Sequence, residues 1–301
     1  MNLDAFQKPG RFFRGNLHTH STRSDGVLAP EAVAAHYREA GYDFLALTDH
    51  FLRHYSFPIV DTRPFRTNSF TTILGAEVHA PQNSHGQDWH ILAVGLPEDF
   101  ASTGERETGV ELAGRAVEAG AFVAIAHPQW SSLTIEDGRA LPMAHAVEIY
   151  NHGCASESSR GDGSVLLDQL LNEGRNVMAI ATDDAHFRTY DACGGWVMVK
   201  AQENEPGALL DALKAGDFYA SQGPEIHAAE IAAGTLTIEC SPAVTVAAVG
   251  RGCRVRHVHG RQLTRAELPL DDFAGDWFRF VVSDLAGRWA WSNPVRLPAR
   301  A

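Results

Sequence analysis

Histidines and carboxylates recur in short groups along this chain, and 15 of its 301 residues are histidines. His18 and His20 are two residues apart, which puts both imidazoles on one face of a strand. Similar groups follow other short apolar runs. The six groups are HTH at 18–20, DH at 49–50, EVH at 77–79, HP at 127–128, EIYNH at 148–152 and DDAH at 183–186.

Each group alone has an ordinary structural explanation. An HxH pair is more often incidental than metal-binding, SDG at 24–26 is typical of a turn, and a single His90 or His127 is more often a hydrogen-bonded structural residue. Asp49-His50 can cap a strand, and Glu148 can pair with an arginine. Together the groups favour a metal site, because unpaired charges and imidazoles are costly to collect in one cavity unless a cation binds them.

The ligand types predict a catalytic site rather than a structural one. Imidazole and carboxylate ligands without cysteine suit Zn, Mn or Fe in open sites, and the four cysteines form no CxxC pair. Two or three divalent metals held by a shared carboxylate can activate water and stabilise charge on the attacking and leaving oxygens. The sequence therefore predicts hydrolysis of a phosphoester, an amide or a related ester.

Alternating strand-like and helix-like segments must position these groups. The predicted strands are 16–20, 44–48, 73–78, 90–94, 122–126, 146–150, 177–182 and 196–200, and the predicted helices are 30–40, 110–119, 164–173 and 206–215. A glycine follows each helix. This β-α repeat predicts a parallel seven- or eight-stranded α/β barrel, in which the strand ends that carry the six groups meet at one face.

The pattern changes after Gly223-Pro224. Alternating β-branched segments at 236–240, 244–249, 278–282 and 295–297 predict a small all-β appendage. We therefore expect a barrel over 1–224 and a small β domain over 225–301.

Composition limits the partners and the location. The apolar fraction of 45% and charged fraction of 21% are typical of a folded protein, and the net charge of −12 argues against duplex nucleic acid as a partner. No apolar leader or membrane span is apparent, so we expect a cytoplasmic protein with a small-molecule substrate and no membrane partner. Composition leaves the oligomeric state open.

Six motifs in order resemble the polymerase and histidinol phosphatase (PHP) family over about two-thirds of the chain. They are HTHSTRSDG at 18–26, LTDH at 47–50, GAEVH at 75–79, WHILAVG at 89–95, AHP at 126–128 and TDDAH at 182–186. The resemblance implies a distorted (β/α)7, TIM-like barrel with a trinuclear metal centre and phosphoesterase activity. FYASQGPEI at 218–226 and WSNPVRL at 291–297 resemble the tail of a stand-alone metallohydrolase branch of the family.

The resemblance also implies a set of metal ligands. One metal would be held by His18, His20, Glu77 and Asp184, a second by Glu77, His90 and His127, and a third by Asp25, His50 and His186. Asp25 stands where some members carry histidine. The family spacing Asp-x-His selects Asp184 with His186 and leaves Asp183 as a neighbour behind the ligands.

The amidohydrolase superfamily also begins with HxH on its first barrel strand. Its binuclear members usually bridge their metals with a carboxylated lysine on the fourth strand. The only lysines here are Lys8, Lys200 and Lys214, so none lies in the middle of the barrel. Glu77 would be the bridging residue, as in the PHP family.

The mechanistic hypothesis is that a metal-bridging hydroxide attacks phosphorus in a small phosphorylated metabolite, a nucleotide or a short oligonucleotide. Glu77 and Asp184 would be catalytic through the metals, and His152 would protonate the leaving group. The substrate anion would be bound by Arg23, Arg53 and Arg188, which follow metal motifs. A carboxylic-ester, carbamate or amide hydrolase, and a non-catalytic metal-binding module, are the alternatives.

Overall fold

The computed structural model of the chain describes residues 3–299 as a mixed α/β fold. Its helices are α1 (Asp4–Gln7), α2 (Pro30–Glu39), α3 (Gly109–Glu118), α4 (Ile135–Ala140), α5 (His152–Ser158), α6 (Ser164–Asn172) and α7 (Pro206–Ala215). Short 3₁₀ turns lie at Arg53–Tyr55, Arg63–Phe65 and Asp271–Phe273. None of the helices within residues 3–299 is long and apolar enough to cross a membrane.

The strands of the described residues form one large sheet. They are β1 (Arg11–Asn16), β2 (Phe44–Leu47), β3 (His50–Phe51), β4 (Thr71–Ala80), β5 (Trp89–Val94), β6 (Phe122–Ile125), β7 (Ala146–Asn151), β8 (Met178–Thr182), β9 (Trp196–Ala201), β10 (Phe218–Ser221), β11 (Ile226–Ala232), β12 (Thr235–Gly250), β13 (Val255–Pro269), β14 (Trp277–Ser283), β15 (Trp289–Ser292) and β16 (Val295–Arg296).

The four helices predicted from sequence are confirmed, within a residue or so, as α2, α3, α6 and α7. Local signals explain their ends. Pro30 and Pro206 occupy the first helical turn, where a missing N–H costs nothing. Thr108 and Glu111 form a reciprocal capping box at the start of α3, and Gly216 ends α7 at a φ of +79°, which glycine adopts without strain.

The first predicted strand, 16–20, was wrong in position. β1 spans Arg11–Asn16, so His18 and His20 lie just beyond it. Residues 17–20 lie outside the strand ladder of β1. They meet the segment after β8 through an isolated bridge between Thr19 and Ala185. The other seven predicted strands are confirmed as β2 and β4 to β9.

The central sheet mixes parallel and antiparallel strands. β1, β2 and β4 run parallel, as do β6, β7 and β8, whereas β5 is antiparallel to both of its neighbours. A short connection without a helix joins β4 to β5 and makes them a hairpin. As a result, the start of β5, which carries His90, lies at the edge where the parallel strands end.

The closed barrel expected from sequence is not confirmed. β9 pairs antiparallel with β1, so the sheet continues past β1 instead of closing against β8 through a strand ladder. Within the described chain, the segment after residue 224 contains only strands and one 3₁₀ turn. Its strand β15 pairs with β10, which belongs to the segment before residue 224. The C-terminal strands thereby extend the same sheet, and the division into domains 1–224 and 225–301 stays a prediction.

Two apolar layers hold the site-bearing strands. Helices α3 and α6 pack Leu112 and Leu167 against one layer, and α7 packs Leu209 against the other. All three leucines are fully buried. Their burial fixes the strand ends from which the polar groups project.

Candidate metal centre

The nine residues implied as ligands lie together at one edge of the sheet. They occur in overlapping groups whose nitrogen and oxygen atoms all lie within 4.8 Å of one another. The nine are His18, His20, Asp25, His50, Glu77, His90, His127, Asp184 and His186. The prediction that separate strand ends would bring these groups into one cavity therefore agrees with the structure.

Glu77 is at the centre of the cluster and is fully buried. Its Oε1 lies 2.8 Å from His90 Nδ1 and 3.1 Å from His127 Nε2. Its Oε2 lies 3.7 Å from the Nε2 atoms of both His18 and His20. Oε2 also lies 2.6 Å from His50 Nδ1. The two carboxylate oxygens thus face different imidazoles, as a bridging ligand would.

Asp184 completes the group around His18 and His20. Its Oδ1 lies 2.9 Å from His20 Nε2 and 3.2 Å from His18 Nε2. Its Oδ2 accepts a hydrogen bond of 3.1 Å from Asn151 Nδ2, which orients the carboxylate. One oxygen therefore faces the histidines while the other is held by the protein.

Asp25 and two histidines form a group nearer the surface. Asp25 Oδ1 lies 3.4 Å from His50 Nε2 and 3.3 Å from His186 Nε2. The Arg188 guanidinium approaches Asp25 from outside, 3.6 Å from Oδ2, and also donates to the Asp25 carbonyl. The position where some PHP proteins carry histidine is thus filled here by a carboxylate of suitable direction.

Three buried atoms in this cluster have no hydrogen-bond partner among the described residues: His18 Nε2, Glu77 Oε2 and Asp25 Oδ1. Leaving a buried polar atom unsatisfied costs about 1–3 kcal/mol. His18 Nε2 and Asp25 Oδ1 face other ligand-type atoms at 3.2–4.0 Å. Glu77 Oε2 lies 2.6 Å from His50 Nδ1 but accepts no correctly directed hydrogen bond from it. The donor set and these unsatisfied atoms fit divalent metals.

Glu148 holds the first histidine in place. This fully buried carboxylate accepts from His18 Nδ1 at 2.7 Å and Thr182 Oγ1 at 2.6 Å with one oxygen. The other oxygen accepts from the backbone N–H of His127 at 2.6 Å and from Asn151 Nδ2 at 3.0 Å. With its proton on Nδ1, His18 keeps the Nε2 lone pair directed into the cluster.

Asp49 secures the loop that carries Asp25. Its carboxylate accepts from the N–H and hydroxyl of Ser21, both at 2.7 Å, and from the hydroxyl of Ser24 at 2.6 Å. Asp49 is almost fully buried. It therefore acts as a loop anchor, and its neighbour His50 alone enters the cluster.

The two consecutive aspartates after β8 face in opposite directions. Asp183 accepts from the backbone N–H groups of Cys193, Gly194 and Gly195 and from the Tyr37 hydroxyl, each at 2.8 Å. Asp184, with a φ of +55°, faces the histidines. A non-glycine residue at positive φ is strained, and such strain is common at functional sites.

The electrostatics keep the ligand carboxylates ionised. Burial alone would raise the pKa of Glu77, but the imidazoles of His50 and His90 hold it well below its usual range. Burial likewise opposes charge on Asp184, and His18 and His20 lower the pKa of that carboxyl strongly. Ionised carboxylates are the form that binds metal.

A cavity of about 190 Å³ opens above the cluster. Its wall includes Arg188, Cys154, Glu157 and Trp130, in addition to the ligand-type residues. Trp130 is 43% exposed, and its ring lies edge-on to the rings of His90 and His127. The cavity therefore has a cationic group, an aromatic face and a buried thiol around the cluster.

Three predicted residues do not reach this cavity. His152, the first residue of α5, lies with its ring against Gly194 and pairs through Nδ1 with the Tyr150 hydroxyl at 2.9 Å. Arg23 is exposed and outside the cavity wall. Arg53 pairs with Glu105 at 3.1 Å beside another surface cavity.

Sequence reasoning missed His79 and the role of Glu148. His79 is almost fully buried and lies 3.6 Å from Glu77 Oε2 and 2.9 Å from His50 Nδ1. The signal was present in the EVH motif, whose i, i+2 spacing is the same as that of His18 and His20. No sequence signal shows that Glu148 pairs with a histidine rather than with an arginine.

Comparison with known proteins gives a likeness in fold. No protein-family profile and no curated protein matches the chain. A two-domain protein from Bacteroides vulgatus, described as containing a predicted PHP-like metal-dependent phosphoesterase, superposes with a TM-score of 0.57 at 17% identity, covering 94% of this chain and 93% of that one.

Two further solved structures match a smaller part of the chain. A proposed metal-dependent phosphoesterase from Bifidobacterium adolescentis gives a TM-score of 0.44 at 14% identity, covering 59% of this chain and 90% of that one. An amidohydrolase from Chromobacterium violaceum gives 0.45 at 15% identity, covering 59% and 89%. The chain thus shares the overall fold of the two-domain Bacteroides protein, and this likeness agrees with the resemblance to the PHP family carried by the six motifs.

Proposed function

We propose that the protein is a metal-dependent hydrolase, and specifically a phosphoesterase that acts on a small phosphorylated metabolite, a nucleotide or a short oligonucleotide. The observation that carries the proposal is the set of buried, unsatisfied atoms on His18, Glu77 and Asp25, surrounded by imidazoles and carboxylates. A protein that bound no cation there would have to bear the cost of all three.

The ligand groups would hold two or three divalent metals. His18 and His20 face one oxygen of Glu77 and are themselves faced by Asp184. His90 and His127 face the other oxygen of Glu77. The third subsite would be formed by Asp25, His50 and His186. Zn, Mn or Fe at these positions would supply Lewis acidity that activates water and offsets charge on the phosphate oxygens.

Arg188 is the predicted arginine that lies in the cavity wall, and it favours a phosphate over a carboxylic ester or amide. Its guanidinium is half-exposed and is 3.6 Å from Asp25 Oδ2. A phosphate oxygen entering the cavity would offer it a second anionic partner, and arginine binds phosphate through two parallel N–H groups. This side chain would therefore orient the substrate.

The size of the cavity limits what enters it. Its volume of about 190 Å³ is below the roughly 300–1,000 Å³ of ordinary small-molecule pockets. Only the reacting group would fit among the ligands, and the rest of the substrate would lie outside, against the exposed face of Trp130. An aromatic face there suits a nucleobase or another planar leaving group.

A carboxylic-ester, carbamate or amide hydrolase would use the same activated water, and a non-catalytic module would only bind the metals. Arg188 argues against the first alternative. The full set of nine ligand-type residues argues against the second, because a module without catalysis has no need for so many.

The test is element-resolved metal content together with phosphatase and phosphodiesterase assays supplemented with Mn and Zn. Wild-type protein, Glu77→Ala and the control Glu157→Gln are compared, since Glu157 lines the cavity without belonging to the ligand groups identified within residues 3–299. We expect two or three metals per chain in the wild type and the control, and loss of both metal and phosphate release in Glu77→Ala. Bound metal without phosphoester turnover would refute the phosphoesterase, and absence of stoichiometric metal after reconstitution would refute the metal site.

A further inference from the structure

His79 is a buried histidine in contact with the metal centre that the implied ligand set does not include. It follows Glu77 by two residues on β4, so both side chains lie on the same face of the strand. It is paired across the sheet with His90 on β5, and the two rings meet nearly edge-to-face with centroids 4.3 Å apart. The side chain is only 3% exposed, so its polar ring atoms must be satisfied by protein.

The hydrogen bond of His79 is directed at His50. The two atoms joined are His79 Nε2 and His50 Nδ1, at 2.9 Å. Glu77 Oε2 is nearer to His50 Nδ1, at 2.6 Å, yet that oxygen has no correctly directed hydrogen bond from any described residue. The correctly directed hydrogen bond of His50 Nδ1 is thus with His79, and either ring can be its donor. With His50 as the donor, Glu77 Oε2 is left free for a metal.

The other ring nitrogen of His50 faces the outer group of ligands. Its Nε2 lies 3.4 Å from Asp25 Oδ1, the same oxygen that lies 3.3 Å from His186 Nε2. If the proton of His50 is on Nδ1, its lone pair is on Nε2 and is directed at that subsite. If the proton moved to Nε2, this subsite would lose one of its three ligands.

We propose that His79 is a positioning residue for the outer metal subsite: its Nε2 accepts the Nδ1–H of His50 and thereby fixes the tautomer and ring orientation in which His50 Nε2 joins Asp25 and His186. This inference rests on the proposed function, because it assumes that the subsite binds a metal. A histidine ligand ordinarily donates its second ring N–H to a carboxylate, a carbonyl or water. Here an imidazole takes that place.

Direct ligation by His79 is the competing role. His50, Glu77, His79 and His90 form a group whose ligand-type atoms all lie within 4.8 Å of one another. In the positioning role, His79 Nε2 keeps its 2.9 Å hydrogen bond with His50 Nδ1 and acts on the metal through His50. The two roles predict different outcomes when the acceptor is kept and the ring is removed.

Two substitutions separate the hydrogen bond from packing. His79→Gln keeps a neutral acceptor and removes the ring, whereas His79→Phe keeps the ring shape and removes the acceptor. His85→Ala is the matched control, since His85 is exposed on the turn between β4 and β5. Each metal-free protein is titrated with Mn²⁺ and with Zn²⁺, bound metal is counted by elemental analysis, and folding is checked by circular dichroism.

We expect His79→Phe to weaken one subsite about 10-fold to 100-fold, so that one metal per chain is lost at concentrations that fill the wild type. His79→Gln and His85→Ala should retain wild-type stoichiometry. If the His79→Phe variant binds as much metal as the wild type, the hydrogen-bond acceptor at position 79 is irrelevant and the inference is wrong. If the His79→Gln variant loses as much metal as the His79→Phe variant, the imidazole itself is needed as a ligand. That result also overturns the inference.

The controls keep the two proposals apart. A wild-type protein that binds no metal would overturn the proposed function together with this inference. A wild-type protein with its full complement of metals and an unaffected His79→Phe variant would overturn this inference alone. Should the Phe variant fail to fold, His79→Leu lacks the acceptor in a smaller side chain and is judged by the same comparison with Gln.

Discussion

Replacing Glu148 with glutamine tests whether the orientation of His18 controls metal binding. The wild-type carboxylate accepts two hydrogen bonds on each oxygen, and its partners on one side are His18 and Thr182. On the other side they are the backbone N–H of His127 and the side-chain amide of Asn151. Glutamine has nearly the same shape but has an NH₂ group in place of one oxygen.

The partners decide which way the new amide turns. On the side of His127 and Asn151 the NH₂ would face two donors, because the Asn151 oxygen is already engaged by the N–H of Cys154. On the other side it would face the Thr182 hydroxyl, which can accept, and His18 Nδ1, which can accept only if its proton moves to Nε2. We therefore expect glutamine to invert the tautomer of His18.

The inverted tautomer directs an N–H into the cluster, where the wild type offers a lone pair. Loss of a hydrogen-bond partner that orients a metal ligand typically costs about 10-fold to 100-fold in metal affinity. At 1.4 kcal/mol per tenfold, this is about 1.4–2.8 kcal/mol. The affinity of the subsite that contains His18 and Asp184 should fall by that amount.

The assay is calorimetric titration of metal-free wild type, Glu148→Gln and Glu157→Gln with Zn²⁺. Glu157→Gln removes a carboxylate from the cavity wall without touching His18, so it controls for the loss of negative charge. Wild-type affinity in Glu148→Gln, in a variant that folds normally, would refute the tautomer argument. Equal weakening in both variants would attribute the effect to charge alone.

Three further predictions concern the substrate, a helix and pH. Arg188→Ala should raise KM roughly tenfold to a hundredfold with metal content unchanged, whereas exposed Arg23→Ala should leave the kinetics unaltered. Thr108→Ala removes the N-cap of α3 and should lower the free energy of unfolding in urea by about 1 kcal/mol. The hydrogen bond from Arg251 lowers the pKa of Asp276, so its stabilising contribution is present above the unfolded pKa of about 3.9 and is lost as the pH falls through the folded value. The urea midpoint of unfolding of Asp276→Asn should therefore lie below that of the wild type at neutral pH, and the two midpoints should converge in acid. A difference between the midpoints that widened in acid would contradict this pH dependence.

Elements with strong local signals could be predicted from the sequence. Three of the four main helices, α2, α3 and α7, have a proline or a capping residue at their start, and a glycine follows the end of all four. These signals do not depend on the rest of the fold. The position of β1 and the direction of β5 could not be read in this way. Both depend on which strand lies alongside: β9 pairs with residues 11–15, and β4 turns back into β5 through a hairpin.

The ligand groups could be predicted because most of them lie within or just after a short apolar run, and strand ends converge at one edge of a sheet. The residues behind them could not, because Glu148 and His79 are defined by single hydrogen bonds to His18 and His50 across the cluster. The leaving-group role of His152 stays a prediction. The position of His152 in the EIYNH group does not reveal that α5 starts at this residue or that its ring pairs with the Tyr150 hydroxyl.

The pairing of β10 with β15 has a consequence for any shortened form of the protein. β10 lies between β9 and β15, and Tyr219 on this strand is buried. A chain cut after residue 224 would leave the outer side of β10 as a bare edge with unpaired backbone groups next to apolar side chains. Exposed edges of this kind recruit other strands and promote aggregation. The C-terminal strands therefore protect the edge of the sheet that carries the candidate metal centre.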